Sequence, residues 1–264
     1  METPKRIADR INFYVINLDR SVDRMEQFKK DFEAFPIPFI RVPAIEGKDL
    51  VMPIKEYNAT KFFFSNGQEA TPGEIGCYLS HLKVFKMFLE SDKELALICE
   101  DDATPTHNAY EILEQAIAYS ETWDLLRLHK IYFHSETFFP YRALPQGHNL
   151  CTSISGVNSS TAYVVNRRAA EILVKKLIPM TRAYDNALFQ GRVGIREATV
   201  VPDCMFPNEC HNVTTIEGKS KTKRRWKPWH CVFWTSRFRR TWIRIVRYSL
   251  QFFRLFKRRF SGSQ

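Results

Sequence analysis

The sequence predicts an α/β fold, a Rossmann-like, mostly parallel sheet over residues 1–218, followed by a basic amphipathic helical tail over 219–264. Three observations carry that prediction. Short, nearly all-apolar runs alternate with stretches of three- and four-residue periodicity, the pattern of strands buried on both faces and of amphipathic crossover helices. The 264 residues, 44% of them hydrophobic, suffice for one sizeable core. The charge is also divided: of 39 basic residues, 15 lie in 219–264, where no Asp or Glu occurs. That leaves 24 basic against all 29 acidic residues in the preceding 218, a net of −5.

Taken in order, residues 11–18 are a nearly all-apolar run that stops at Asp19-Arg20, as a buried parallel strand does. Residues 21–35 carry Val22, Met25, Phe28, Phe32 and Phe35 on one helical stripe. Residues 39–43 form a second strand and close a strand–helix–strand unit. Pro72-Gly73 marks a break before a largely apolar helix at 74–89. Residues 94–99 are a further buried strand, running directly into Glu100-Asp101-Asp102. Pro105 blocks smooth continuation, 110–119 is helical and 124–128 reads as a strand. Residues 129–156 are polar, aromatic and irregular, with Pro140 and Pro145, and are expected to be long loops that build an acceptor pocket. A strand at 161–165 and a helix at 168–177 follow. Such alternation implies right-handed crossovers and ligands outside the carboxyl ends of the strands, where Asp19-Arg20 and the acidic triplet fall.

Other features exclude more than they propose. No run approaches the roughly 20 apolar residues that span a bilayer, and the first residues lack the apolar core of a signal peptide. The six cysteines show no CxxC pairing. Cys77 and Cys99 read as buried thiols, which suits a reduced cytosolic setting. The Asn-x-Ser/Thr triplets at Asn58, Asn158 and Asn212 read as chance matches. A zinc site from Cys204, Cys210, His211, His230 and Cys231 fits no common finger spacing. The acidic body gives no reason to expect nucleic-acid binding.

Glu100-Asp101-Asp102 is the main candidate site. Three adjacent acids ending a buried strand repel one another, and a cation compensates them. A divalent metal there could bridge a diphosphate and neutralise a leaving group. Alternation along a strand lets Glu100 and Asp102 act together. Asp102 is the first choice of ligand; Glu100 is a second or water-mediated ligand, or holds a ribose. The alternative is a solvated turn that caps the next helix.

The chain resembles glycosyltransferase family 25, the lipooligosaccharide galactosyltransferase type. The matches, in order over about residues 11–216, are Tyr14-Val-Ile-Asn-Leu-Asp-Arg20 with Asp23-Arg24, Arg41-Val-Pro-Ala-Ile-Glu-Gly47, Thr71-Pro-Gly-Glu-Ile-Gly-Cys-Tyr-Leu-Ser-His81, Cys99-Glu-Asp-Asp102, Trp123-Asp-Leu-Leu-Arg-Leu128, Ser160-Thr-Ala-Tyr163 and Tyr184-Asp185. The resemblance implies an A-type glycosyltransferase fold, a UDP-sugar donor, divalent-metal dependence (Mn2+ before Mg2+) and inversion at the anomeric carbon. It places Asn17, Leu18, Asp19 and Arg20 with Ala44 and Ile45 along the nucleotide, and Ser80 and His81 beside the donor; Glu100 and Asp101 are expected on the donor as well. Arg20 and Arg24 can offer bidentate donors to a phosphate, or can be ordinary helix-surface arginines; His81 can equally be a core histidine. Inversion requires a base for the acceptor hydroxyl. Asp185 is the expected base and Asp124 its competitor, either of which could have another role. His211 is a third expected metal ligand.

The tail separates on a helical wheel. Phe238, Trp242, Ile245, Phe252, Phe253, Phe256 and Phe260 face one way, and Arg237, Arg240, Arg244, Arg247, Arg254 and Arg258 the other. Aromatics opposite cations suit an interfacial helix, and each cation near an anionic surface contributes on the order of 1 kcal/mol. A core-packing helix and an RNA-binding arm are the alternatives. The expected function is transfer of galactose from UDP-galactose, in β linkage, to a lipooligosaccharide or lipopolysaccharide core sugar, at the inner face of the bacterial inner membrane. Glucosyl or N-acetylglucosaminyl transfer, or a non-catalytic membrane-bound nucleotide or glycan scaffold, are the other readings.

Overall fold

The computed structural model describes residues 7–131, 138–153, 157–188 and 194–208. The expected ligand His211, the tail at 219–264 and the domain division at 218 lie outside the described residues, as do Cys210, Asn212, His230 and Cys231.

A short turn of helix, α1 (Ile7–Arg10), leads into β1 (Ile11–Asn17), α2 (Val22–Asp31) and β2 (Phe39–Pro43). Helices α3 (Ala59–Asn66) and α4 (Pro72–Glu90) precede β3 (Leu95–Glu100), β4 (Ala103–Pro105) and α5 (Ala109–Ala118). Then come β5 (Leu125–Arg127), β6 (Phe138–Ala143), β7 (Asn149–Ser153), β8 (Ala162–Asn166), α6 (Arg167–Lys176), α7 (Tyr184–Leu188), β9 (Glu197–Val201) and β10 (Met205–Pro207).

Eight strands form one sheet in the order β2-β1-β3-β8-β5-β9-β7-β6. Strands β1 and β2, β1 and β3, and β5 and β9 pair in parallel. Strand β8 is antiparallel to both its neighbours, and β7 to both of its own. All strands of the sheet except β7 and β8 therefore point one way, so β1, β3, β5 and β9 end on a single edge. Short β4 and β10 form a separate antiparallel ribbon over that edge.

Apolar alternation fills both faces of the sheet. On one face Phe13 from β1 meets Phe39 of β2 and, from the predicted stripe, Phe28, Phe32 and Phe35, with ring centroids 5.3–6.0 Å apart; Val22, expected on the same stripe, is exposed. Helix α5 covers the same side through Ile112, Leu113 and Ala116. The other face carries α4, α6 and α7 through Phe85, Leu173 and Leu188. The start of α4 is set by Pro72 in its first turn and by a reciprocal capping box between Thr71 and Glu74.

The region 129–156 corrects the expectation of loops. It contains β6 and β7, an antiparallel hairpin that extends the sheet. Pro140 disguised it: β6 is the edge strand and its register shifts between Pro140 and Arg142, the setting in which a sheet tolerates proline. The turn of that hairpin carries Gln146 and Gly147 at φ 53° and 79°.

Candidate functional site

The carboxyl ends of β1 and β3 and the start of antiparallel β8 meet on one edge, and they bring Asn17, the acidic triplet and Ser160 together. Asn17 is buried and uses its whole amide. Nδ2 donates to Asp101 Oδ2 at 2.7 Å and to the Ser21 carbonyl at 3.0 Å, while Oδ1 accepts from Arg41 Nε at 2.8 Å. Arg24, reaching back from the first turn of α2, places Nη2 2.5 Å from Asp101 Oδ1 and 3.2 Å from Asp102 Oδ2. Arg24 was expected on a phosphate; the structure sets it against the triplet, where it offsets two of three like charges. Asp101, expected on the donor, is buried and pinned between Asn17 and Arg24.

Glu100 and Asp102 differ electrostatically. Burial pushes the Glu100 carboxyl up, but His81, the Ser160 hydroxyl and the Arg24 charge outweigh it and hold the group below the usual carboxylate range. Ser160 Oγ donates to Glu100 Oε1, and His81 Nε2 lies 3.5 Å from the same oxygen. Burial, then the Glu100 charge, pushes the Asp102 carboxyl up to about 7 against the pull of Arg24. Asp102 Oδ1 is buried with no hydrogen-bond partner among the described residues. A buried carboxylate oxygen without a donor, beside a second carboxylate held ionised, is a donor set that suits a hard dication. Glu100 also belongs to a second group that could hold a metal, with ligand atoms of Cys77 and His81, all within 4.8 Å.

His81 occupies the core position that the sequence allows it besides a donor contact. Its side chain is about 1% exposed, with Nδ1 2.9 Å from the Tyr163 hydroxyl, itself 2.7 Å from that of Tyr184. The ring stacks on Tyr184 with centroids 3.9 Å apart and planes 7° from parallel. It stands behind Glu100, with Nε2 3.5 Å from Oε1. Ser80 is equally enclosed: its hydroxyl donates to the Gly76 carbonyl at 2.7 Å and accepts from Ile45 N at 2.8 Å. That bond holds the chain after β2 against α4. The approach is so close that a Cβ on Gly76 would lie 2.4 Å from the Ile45 carbonyl oxygen. Ala44 N donates to the Asn17 carbonyl at 2.9 Å, so Ala44 and Ile45 line the edge beside β1.

At the mouth, Leu18 is half-buried and its carbonyl closes the turn to Ser21 N at 2.9 Å. Asp19 and Arg20 are exposed, Asp19 paired to Arg41 at 2.6 Å and Arg20 to Glu46 at 2.7 Å. Asp185 directly follows Tyr184 on α7, and its Oδ1 accepts from Asn186 N at 2.7 Å and Nδ2 at 3.0 Å.

Asp124 is a correction. It precedes β5 and so lies at the opposite edge of the sheet, fully buried among Arg196 at 2.9 Å, Arg168 at 2.5 Å and Asn166 at 3.1 Å. Burial would raise its carboxyl, but the Arg196 and Asn166 bonds hold it at about 2. It is a structural ion pair.

Sequence reasoning missed a buried cluster on the functional edge. His129 and Lys130 follow β5, Asp203 follows β9, and Asp203 accepts from both, Oδ2 from His129 Nδ1 and Lys130 N at 3.1 Å each and Oδ1 from Lys130 Nζ. The signal available was two basic residues placed directly after an apolar run, the same logic that picked out Asp19-Arg20.

Comparison with known proteins follows this geometry. Procollagen galactosyltransferase 1-B of Xenopus laevis is 34% identical over 108 residues, 38% of this chain and 18% of that one. A putative glycosyltransferase of Haemophilus influenzae is 27% identical over 191 residues, 71% of this chain and 66% of that one. Among solved structures, A197 from STIV aligns with a TM-score of 0.41 at 11% identity, over 74% of this chain and 83% of that chain. This chain thus spans about a fifth of the animal relative it matches. The profile described as glycosyltransferase family 25 (LPS biosynthesis protein) matches residues 10–188, and with the acidic edge of β3 in place the chain belongs to that family.

Proposed function

We propose that this protein is an inverting, metal-dependent hexosyltransferase that moves galactose from UDP-galactose, in β linkage, to a core sugar of lipooligosaccharide or lipopolysaccharide. The observation that carries the reading is the buried, unsatisfied Oδ1 of Asp102 beside the ionised Glu100. The galactosyl donor is supported by the likeness to the Xenopus procollagen galactosyltransferase, and the acceptor class by membership in a family of lipopolysaccharide-biosynthesis proteins.

In this reading Asp102 is the principal ligand of a divalent ion, Mn2+ before Mg2+, with Glu100 as second ligand or ribose contact and His211 as a third. The ion, when bound, neutralises the charge that develops on the diphosphate leaving group. The chain supplies the rest. Asn17, Leu18, Asp19 and Arg20 with Ala44 and Ile45 receive the nucleoside. Asp101 and Arg24 hold the triplet in place, and Ser160 and His81 aim Glu100. Asp185 belongs to the acceptor side. Residues 219–264 form a separate basic segment that docks on the anionic inner face of the bacterial inner membrane, where a lipid-linked acceptor resides.

A panel of UDP-sugars assayed for hydrolysis, with and without manganese, tests this directly. UDP-galactose is expected to be turned over fastest, only with the metal, and not by Asp102→Ala. Full activity of Asp102→Ala would remove the metal proposal, and preference for UDP-glucose or UDP-N-acetylglucosamine would change the donor. Binding without turnover by the unsubstituted protein would favour a non-catalytic scaffold. Flotation with anionic against neutral liposomes tests the tail; salt-sensitive RNA capture without flotation would replace the membrane by nucleic acid.

A further inference from the structure

Six strands end on the edge that carries the triplet, and the proposed donor site uses the ends of only β1, β2 and β3. Across that edge the order is β1, β3, β8, β5, β9, so Asn17, then Glu100, then Ser160, then His129 and Asp203 follow one another. A nucleotide sugar with its nucleoside at β1 and its diphosphate at Asp102 directs its sugar toward β5. There the buried His129–Asp203–Lys130 cluster stands, unused by the donor side.

We infer that His129 is the base that takes the proton from the acceptor hydroxyl, and that Asp203 is its positioning residue. This rests on the transferase reading above. Asp203 is 1% exposed at its side chain and each of its oxygens is assigned. Lys130 Nζ takes Oδ1, and Oδ2 accepts from Lys130 N and His129 Nδ1. A carboxylate fixed in this way accepts the Nδ1 proton and so makes Nε2 the nitrogen that carries a lone pair. The His129 side chain keeps 10% of its surface open and packs 6.0 Å from the ring of Phe206, which is 42% exposed.

The β4–β10 ribbon joins this cluster to the triplet. Asp203 leads into β10, Phe206 faces Thr104 in the ribbon, and Asn208 N donates to the Asp102 carbonyl at 2.6 Å. A second strap runs through residues 158–160. Ile131 N donates to the Asn158 carbonyl at 2.8 Å, and Ser160 binds Glu100. His129, through Asp203 and Phe206, and Asp102, through Asn208, are thus tied to the same β4–β10 ribbon.

The step balances. The acceptor O–H proton passes to Nε2 as the acceptor oxygen bonds to the anomeric carbon. The bond from that carbon to the phosphate oxygen breaks, and its electron pair leaves with UDP. The imidazolium so formed is stabilised by Asp203.

The test uses the full chain with UDP-galactose, manganese and a glycoside acceptor chosen from p-nitrophenyl galactoside, glucoside and N-acetylglucosaminide. His129→Asn keeps an amide N–H near the position of Nδ1 for Asp203 and deletes Nε2. Transfer is expected to fall about 10²–10⁴-fold, with UDP-galactose affinity within about twofold and an unchanged melting temperature. Imidazole in the buffer is expected to restore part of the rate of His129→Ala. Asp203→Asn is expected to lower kcat with KM for UDP-galactose unchanged, without rescue by imidazole. Transfer by His129→Asn within tenfold of the unsubstituted protein would overturn the assignment, as would an equal loss of donor affinity. No turnover of any UDP-sugar by the unsubstituted protein would instead overturn the transferase reading, and this inference with it.

Discussion

His81 and Tyr184 lie face to face, with ring centroids 3.9 Å apart and planes 7° from parallel. Tyr184 also reaches the Tyr163 hydroxyl, which in turn lies 2.9 Å from His81 Nδ1. The histidine is thereby held at its face and at one nitrogen, so its other nitrogen addresses Glu100. A sequence position that reads as a ligand contact is a buried neighbour of Glu100 instead.

Tyr163→Phe tests that support. The change removes one hydroxyl between two buried polar partners, and burial without a partner is expected to cost about 1–3 kcal/mol. Chemical denaturation should report that loss. Turnover of UDP-sugar should fall about tenfold with the metal dependence retained, since Glu100 is misaimed and Asp102 is untouched. Unaltered turnover would show that Glu100 does not need the relay.

Asp102→Asn removes the charge while keeping the shape. A ligand that binds only the folded chain raises its melting temperature, so manganese is expected to raise that of the unsubstituted protein and to leave that of the variant in place. Thermal melts with and without the ion decide it. An equal rise in both would move the metal to the Cys77–His81–Glu100 group, whose Cys77→Ala variant should then lose the rise.

Asp124 sets an acid limit on stability. Its carboxyl is held at about 2, below the ordinary value near 4. A depressed carboxylate stabilises the fold at pH above its unfolded value, and that stabilisation disappears as pH falls from about 4 through 2. Asp124→Asn is expected to be less stable by about 2 kcal/mol at neutral pH, with a smaller further loss across that acid range. Its turnover at 25 °C should be unchanged, because Asp124 is at the far edge of the sheet. A strong loss of turnover in folded Asp124→Asn would restore it as a catalytic candidate.

Gly76→Ala probes the wall proposed to receive the nucleoside. The new Cβ would meet the Ile45 carbonyl oxygen at 2.4 Å and Gly47 N at 2.8 Å, so backbone must move. A loss of roughly 1–3 kcal/mol is expected, together with weaker UDP binding as Ala44 and Ile45 are displaced. Gly67 at φ 79° has open space around it, and Gly67→Ala should cost about 1 kcal/mol with UDP binding intact. Calorimetric titration of UDP separates the two.

Local pattern was enough wherever one segment carried its own signal. The Phe stripe of α2, the apolar runs of β1 and β3 and the break at Pro72 each satisfy one element's periodicity, and the triplet announced itself as charge at the end of a buried run. Elements whose partners lie far along the chain were not legible. The hairpin β6–β7 hid behind an edge proline, and Asp203 is 73 residues from the Lys130 it binds.

By itself, then, the sequence determined the alternation of strands and helices, and Glu100 and Asp102 as an acidic pair at the end of a buried strand. Only the tertiary structure decided which charges remain available to a ligand. Arg24 and Asp101 offset one another there, Asp124 is bound by arginines at the opposite edge, and Asp102 keeps an oxygen without a donor among the described residues. The reason is physical: periodicity is a property of neighbours in sequence, whereas the state of a buried charge depends on the groups that surround it in space.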